Sequence, residues 1–142
     1  MLDLKILDQA LSDYNQYKLR SNEDGHLVLK LNGTLDAFET DQMCSSETLE
    51  WNDFVTKLSE KECKVIFKHC KFMNDCGHNR SKLLAITWIP SEANFREKMI
   101  MAASMKEFRL KFEGIMKIVE GSVKSDIYLN ELQDICKYSF KF

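Results

Sequence analysis

Apolar side chains are densest in Leu83-Leu84-Ala85-Ile86-Thr87-Trp88, where odd and even positions are equally apolar. Such a strand is covered on both faces, as a central strand between helices would be. Pro90 ends it, because proline donates no ladder hydrogen bond and biases its neighbour away from helix. Ser91 then offers an N-cap, with Asn94 as a later alternative, and Glu92 suits the positive end of a helix dipole. From about Asn94 to Phe112 there is neither proline nor glycine, and Gly114 stands where a left-handed C-cap is expected. Ile100, Met101, Phe108, Phe112 and Ile115 recur at helical spacing and form a core-facing stripe. The opposite stripe reads Lys98, Ala102, Met105 and Arg109, with Arg96, Met99 and Lys106 beside it. Small and apolar residues ringed by cations have the composition of a partner-binding face. A helix packed partly under a loop has the same pattern.

The remaining periodicity predicts a first helix over residues 4–18, with Leu4, Leu7, Leu11 and Tyr14 on one side and Asp3 or Asp8 as cap. Leu27 to Leu31, then Asn32-Gly33, then Thr34 to Phe38 reads as a hairpin, since Asn-Gly fills the two positive-φ positions of a type I′ turn. Glu39 to Ser46 reads as polar loop. Ser46 or Thr48 caps a second helix to about Leu58, with Leu49, Phe54 and Leu58 inward. Cys63 to Phe72 and Arg80 to Ile89 are strands joined by a turn over residues 74–79. Ile115 to Val119 is a short strand, and Ser125 or Asp126 caps a last helix to about Lys137. This order predicts an α/β (α+β) fold over residues 1–142. It is a single domain with one central mixed sheet of five or six strands and helices on both faces. The strand–long helix–strand connection is long enough for a right-handed parallel crossover.

Composition narrows the function classes. With 142 residues, one core can bury about two-thirds of the unfolded surface. A net charge of −2 supplies no basic field for nucleic acid or membrane. No apolar run approaches the roughly 20 residues of a membrane span, and Asp3 and Asp8 sit where a signal peptide would be apolar. Five irregularly spaced cysteines read as reduced thiols of a cytosolic protein.

Candidate chemistry is sparse. His69, Cys70, Cys76 and His78 have metal-ligand types, but His69 and Cys70 point to opposite faces of a strand and the spacing matches no zinc motif. There is neither a Gly-rich phosphate loop nor a G-x-S-x-G, so no enzyme, cofactor or metal is expected. Met99, Met101 and Met105 read as core filling plus an adaptable contact surface. Arg80 and Lys82 share one face of a strand and, taken alone, read as edge charges that oppose aggregation.

The run Arg96-Glu97-Lys98-Met99-Ile100-Met101-Ala102-Ala103-Ser104, then Phe108-Arg109 and Glu113-Gly114-Ile115, resembles the long helix of the ADF/cofilin family of actin-binding proteins. Arg80-Ser81-Lys82 before the apolar strand, Trp88-x-Pro90, and Trp51-Asn52-Asp53-Phe54 are similar too, so the likeness runs from about Leu7 to the last helix. The resemblance implies the actin-depolymerising-factor homology fold and a cytoplasmic, cytoskeletal protein acting as a monomer. Binding to ADP-actin monomers would use Arg96, Lys98, Met99, Ala102, Met105, Lys106 and Arg109. Filament binding would add Arg80 and Lys82, working with Glu131, Asp134 and Lys137 of the last helix, and would lead to severing and faster subunit loss. Phosphoinositides are a further partner implied by the family, compatible with the basic patch of Arg96, Lys98, Lys106 and Arg109.

Three positions depart from the family. Leu2-Asp3 replaces the phosphorylatable serine and glycine of the N-terminal arm. Met101 replaces the helix tyrosine. Met105 replaces the lysine of Ser-Ser-Lys, and Lys106 lies about 100° further round the helix. Two other readings stand beside the depolymerising one: a sequestering protein that binds monomers without severing, and a glia-maturation-factor-like protein that binds the Arp2/3 complex.

Overall fold

A computed structural model of the chain describes residues 5–6, 8–19, 25–35, 37–44 and 50–138. In order come β1 (Lys5–Ile6), α1 (Asp8–Lys18), β2 (His26–Leu31), β3 (Ala37–Cys44), α2 (Trp51–Thr56), β4 (Lys64–Met73) and β5 (Asn79–Trp88). They are followed by α3 (Phe95–Lys111), β6 (Lys117–Gly121), a 3-10 turn (Lys124–Ile127) and α4 (Leu129–Tyr138). The strands form one sheet in the order β1-β3-β2-β4-β5-β6. The predicted mixed sheet is present: β1–β3 and β5–β6 are parallel, and the other pairs are antiparallel.

Alternation along the strands divides the core into two layers. Leu27, Leu29, Val65, Phe67, Leu83 and Ala85 face α1 and α3, where Tyr14, Ile100, Met101, Phe108 and Phe112 are buried against them. Val28, Ile66, Cys70, Leu84, Ile86 and Trp88 face the other way, toward Trp51, Phe54, Ile127, Leu132 and Cys136 of α2, the 3-10 turn and α4. The two-faced apolar reading of β5 follows from this double cover. Buried ring N–H groups tie the second layer together: Trp51 Nε1 donates to Ile127 O at 2.7 Å, and Trp88 Nε1 donates to Ser59 O at 2.8 Å.

Several local expectations fail for identifiable reasons. The first helix begins at Asp8, and Lys5–Ile6 instead pair with Ala37 and Phe38 as β1. Leu4, Leu7 and Asp3 lie outside the described residues, as do Ser46, Thr48 and Leu49 of the second helix. Asn32-Gly33 does not make a two-residue I′ turn. Leu35 N donates to Asn32 O, and the positive φ falls on Leu35 at 59°. Residues 39–44 are strand rather than loop. Their polar side chains have partners across the sheet and on α1: Lys64 Nζ reaches Asp41 Oδ2 at 2.7 Å, and Thr40 Oγ1 donates to Asp13 Oδ2 at 2.7 Å. Asp126 opens only the 3-10 turn, accepting from Ser122 N and Val123 N. α4 starts later, where Asn52 Oδ1 accepts from Leu129 N.

His26 is buried between Trp51 and Phe54, with ring centroids 5.8 and 3.9 Å away, and among the described residues its Nε2 has no hydrogen-bond partner. Burial, then the Lys68 charge, push it down to about 4. Burial likewise lowers His69. Both groups bind fewer protons folded than unfolded, so stability falls as pH drops below about 6.5, and for His26 that loss runs down to about 4. Full loss at His26 amounts to about 3 kcal/mol. His26→Gln should therefore flatten the decline in urea stability between pH 6.5 and 4. An unchanged slope would show that His26 is not the acid-sensitive group.

Candidate interaction surfaces

The first surface is built by the cap of α3. Asn94, not Ser91, is the N-cap: its Oδ1 accepts from Arg96 N at 2.7 Å. Glu97 Oε1 accepts from Cys63 N at 3.4 Å, and Lys98 Nζ donates to Ser91 O, so the first turn is fastened to the residue that precedes β4 and to the loop before the helix. At the far end Gly114 takes φ +98°, and a Cβ there would lie 3.1 Å from Lys18 Cδ. Tyr14 OH donates to Glu113 O at 2.6 Å, and burial pushes this phenol up to about 12. Both ends being fixed, the helix presents one definite face outward.

That face differs from the predicted stripe by part of a turn. Met105 is only half-exposed and packs against the first core layer, and Lys98 is half-buried at the same flank. Successive positions step by roughly 100°, so Phe95, Met99, Ala102, Lys106 and Arg109 form the exposed ridge, with Arg96 and Leu110 at its margin. Phe95 is 75% exposed, Met99 56% and Leu110 64%. Sequence reasoning passed over Phe95 because it directly follows the cap and belongs to no buried stripe. The available signal was its i, i+4 spacing to Met99. Lys106 lies on the exposed ridge, whereas Met105 packs inward.

The second surface lies on the other side of the sheet. Arg80 and Lys82 alternate onto the α4 face of β5, as expected, but their states differ. Arg80 is exposed and, among the described residues, has no ion pair or hydrogen bond. Lys82 is half-buried over the Phe72 ring at 5.3 Å, and its Nζ donates to Cys136 O at 2.7 Å, in the last turn of α4. Lys137 pairs with Asp75 of the β4–β5 turn at 3.4 Å, while Glu131 and Asp134 are exposed. Two of the three cations here thus fasten α4 to the sheet.

A mixed six-stranded sheet with a capped long helix on one face and a terminal helix on the other defines an α+β fold. Among the described residues, no group of histidine, cysteine and carboxylate side chains is arranged to hold a metal. The chain belongs to the ADF/cofilin family: residues 3–137 match the model described as cofilin/tropomyosin-type actin-binding protein. It is 26% identical to actin-depolymerizing factor 3 of Zea mays, over 76% of this chain and 77% of that protein. It is 20% identical to cofilin-4 of Dictyostelium discoideum, over 93% and 96%. The fold is similar to that of the ADF-like UNC-60A protein of Caenorhabditis elegans, with a TM-score of 0.81 at 14% identity, covering 97% of this chain and 96% of that one. The glia maturation factor of the same organism gives 0.70 at 16% identity, covering 92% and 94%.

The two cations of β5 should separate by stability. Lys82→Ala removes a charged donor from a half-buried carbonyl and should cost about 1–2 kcal/mol in urea unfolding. Arg80→Ala, at an exposed site, should stay within about 0.5 kcal/mol of the parent. Equal, negligible costs would refute the fastening role of Lys82.

Proposed function

We propose that this chain binds actin monomers through the exposed ridge of α3 and filaments through that ridge together with the α4 side of the sheet. The observation that carries this reading is the ridge itself. Phe95 and Met99 stand out from a helix fixed at both ends, with Arg96, Lys106 and Arg109 around them. An aromatic and a flexible thioether flanked by cations have the make-up of an interface hot spot facing an acidic, partly apolar partner. Lys98 contributes from the flank, restrained by Ser91 O, and Met105 supports the ridge from beneath.

The two surfaces lie on opposite faces of one sheet, which suits a protein wedged between neighbouring subunits of a filament. Engagement there loosens subunit contacts, with severing and faster subunit loss as the outcome. Arg80, Glu131 and Asp134 are the exposed filament-side residues, whereas Lys82 and Lys137 act through the placement of α4. The protein works as a cytoplasmic, cytoskeletal monomer, and the patch of Arg96, Lys106 and Arg109 also fits phosphoinositide headgroups. Among the described residues, no helix is long and apolar enough to cross a membrane. One observation favours a second reading. With Lys82 bonded to Cys136 O and Lys137 ion-paired with Asp75 at the surface, the filament side keeps little free positive charge, as a monomer-sequestering protein with weak filament activity would.

Sedimentation of ADP-actin filaments with increasing protein separates these readings. Co-pelleting with rising supernatant actin is expected, and rising supernatant actin without co-pelleting would mean sequestration. No effect on actin would refute both and favour the Arp2/3-binding reading. Phe95→Ala with Met99→Ala should weaken monomer binding by about 2 kcal/mol or more and leave unfolding unchanged, since both side chains are exposed. Charge reversal at Arg96 and Lys98 should cost several kcal/mol. Unaltered affinity in both double variants would remove α3 from the interface.

A further inference from the structure

Asn32 is the only asparagine of the chain that is followed by glycine. Gly33 does not take a positive φ, and a Cβ placed on it would meet nothing within 4 Å, so neither the turn nor packing requires glycine there. Gly33 and Thr34 are exposed. The Asn32 carboxamide, by contrast, is held. Its Oδ1 accepts from the Thr34 hydroxyl at 3.2 Å and from Ala37 N at 3.4 Å. Thr34 lies two residues on, so its bond folds the carboxamide back along the Gly33 peptide. The pieces of a cyclisation are then together: an amide carbon, two donors on the oxygen where charge would develop, and an uncrowded backbone nitrogen as nucleophile. Two other asparagines give the comparison. Asn74 Oδ1 accepts from Cys76 N at 3.0 Å and from His78 N at 2.9 Å, and Asn94 Oδ1 accepts from Arg96 N. Asp75 and Phe95 follow them, and a side chain on the following residue crowds the nitrogen that would attack.

We propose that Asn32 is a self-modifying site, which deamidates to aspartate and isoaspartate and so loosens the β2–β3 connection. Gly33 N loses its proton to solvent hydroxide and attacks Asn32 Cγ. A C–N bond forms while negative charge collects on Oδ1, facing the Thr34 hydroxyl and the Ala37 N–H. The Cγ–Nδ2 bond then breaks, and Nδ2 takes a proton from water and leaves as ammonia, which restores the hydroxide. Water opens the cyclic imide at Cγ to give aspartate, or at the Asn32 main-chain carbonyl carbon to give isoaspartate. The net change is one water consumed and one ammonia released, with no change in oxidation state. In isoaspartate the chain runs through Cβ and Cγ and is longer by a methylene. Asn32 O, which accepts from Leu35 N at 3.0 Å, becomes part of a free carboxylate, while Oδ1 becomes the main-chain carbonyl oxygen. Leu35 packs against the first core layer, and Ala37 pairs with Lys5 of β1, so the altered loop pulls on both. This inference does not depend on actin binding.

The test incubates the native full chain in mildly alkaline buffer and maps its peptides over time. The Asn32 peptide should gain the mass of O in place of NH and split into aspartate and isoaspartate forms, with Asn74 and Asn94 intact. The isoaspartate form should accept a methyl group from an isoaspartyl methyltransferase used as reagent. Thr34→Val should slow the conversion about fivefold, the worth of one neutral hydrogen bond, and Gly33→Ala should slow it further. Both variants should unfold close to the parent, since both positions are exposed. Amide exchange at Leu31, Ala37 and Phe38 should speed up in the isoaspartate form. Asn32 intact after Asn74 or Asn94 has converted, an unchanged rate in either variant, or parent-like exchange in the isoaspartate form would overturn the proposal. If a variant fails to fold, the peptide map and amide exchange of the parent chain decide alone.

Discussion

The β4–β5 ladder is the constraint on which the rest of this molecule depends. Ten residues of each strand pair in register, from Lys64 opposite Trp88 to Met73 opposite Asn79. Both faces of the pair are apolar along its inner half, so neither can be left to water, and a cover is needed on each side. α3 and α1 supply one cover, and α2, the 3-10 turn and α4 supply the other. Because α3 directly follows β5 across Pro90 and returns to the parallel β6, its inner face is chosen by the sheet. Its outer face is then whatever remains. The ridge of Phe95, Met99 and Lys106 is that remainder.

Charge has two different uses on the two faces. On the α3 side the cations stay in solvent around an apolar centre, where they can steer and orient a partner at little cost to folding. On the α4 side two of them engage the fold: Lys82 donates to the Cys136 carbonyl in the last turn of α4, and Lys137 pairs with Asp75 of the hairpin turn. The same residue types at expected positions therefore stay in solvent on one face and serve assembly on the other. Only the neighbours of each side chain distinguish the two.

How much of this was legible follows from where periodicity carries information. β5 and α3 could be read because burial on both faces and an unbroken helical run leave strong patterns in the chain. β3 could not: Glu39, Thr40, Asp41 and Gln42 are polar, and Asp41 is satisfied by Lys64 across the sheet, a partner no local window contains. The Asn32-Gly33 turn was misjudged because the loop carries its positive φ at Leu35 instead. On α3 the core stripe was right at Ile100, Met101, Phe108 and Phe112, yet the outer stripe was placed too far to one flank. Met105 falls there because it packs against the first core layer, and Lys98 because its ammonium reaches Ser91 O.

The most direct test of the account is a map of backbone amide shifts on titrating the labelled protein with monomeric ADP-actin. The account predicts the largest changes at Phe95, Arg96, Met99, Ala102 and Lys106, with the buried stripe of Ile100, Met101 and Phe108 following weakly. Changes centred on α1 or on the α4 face, with the α3 ridge unmoved, would contradict it.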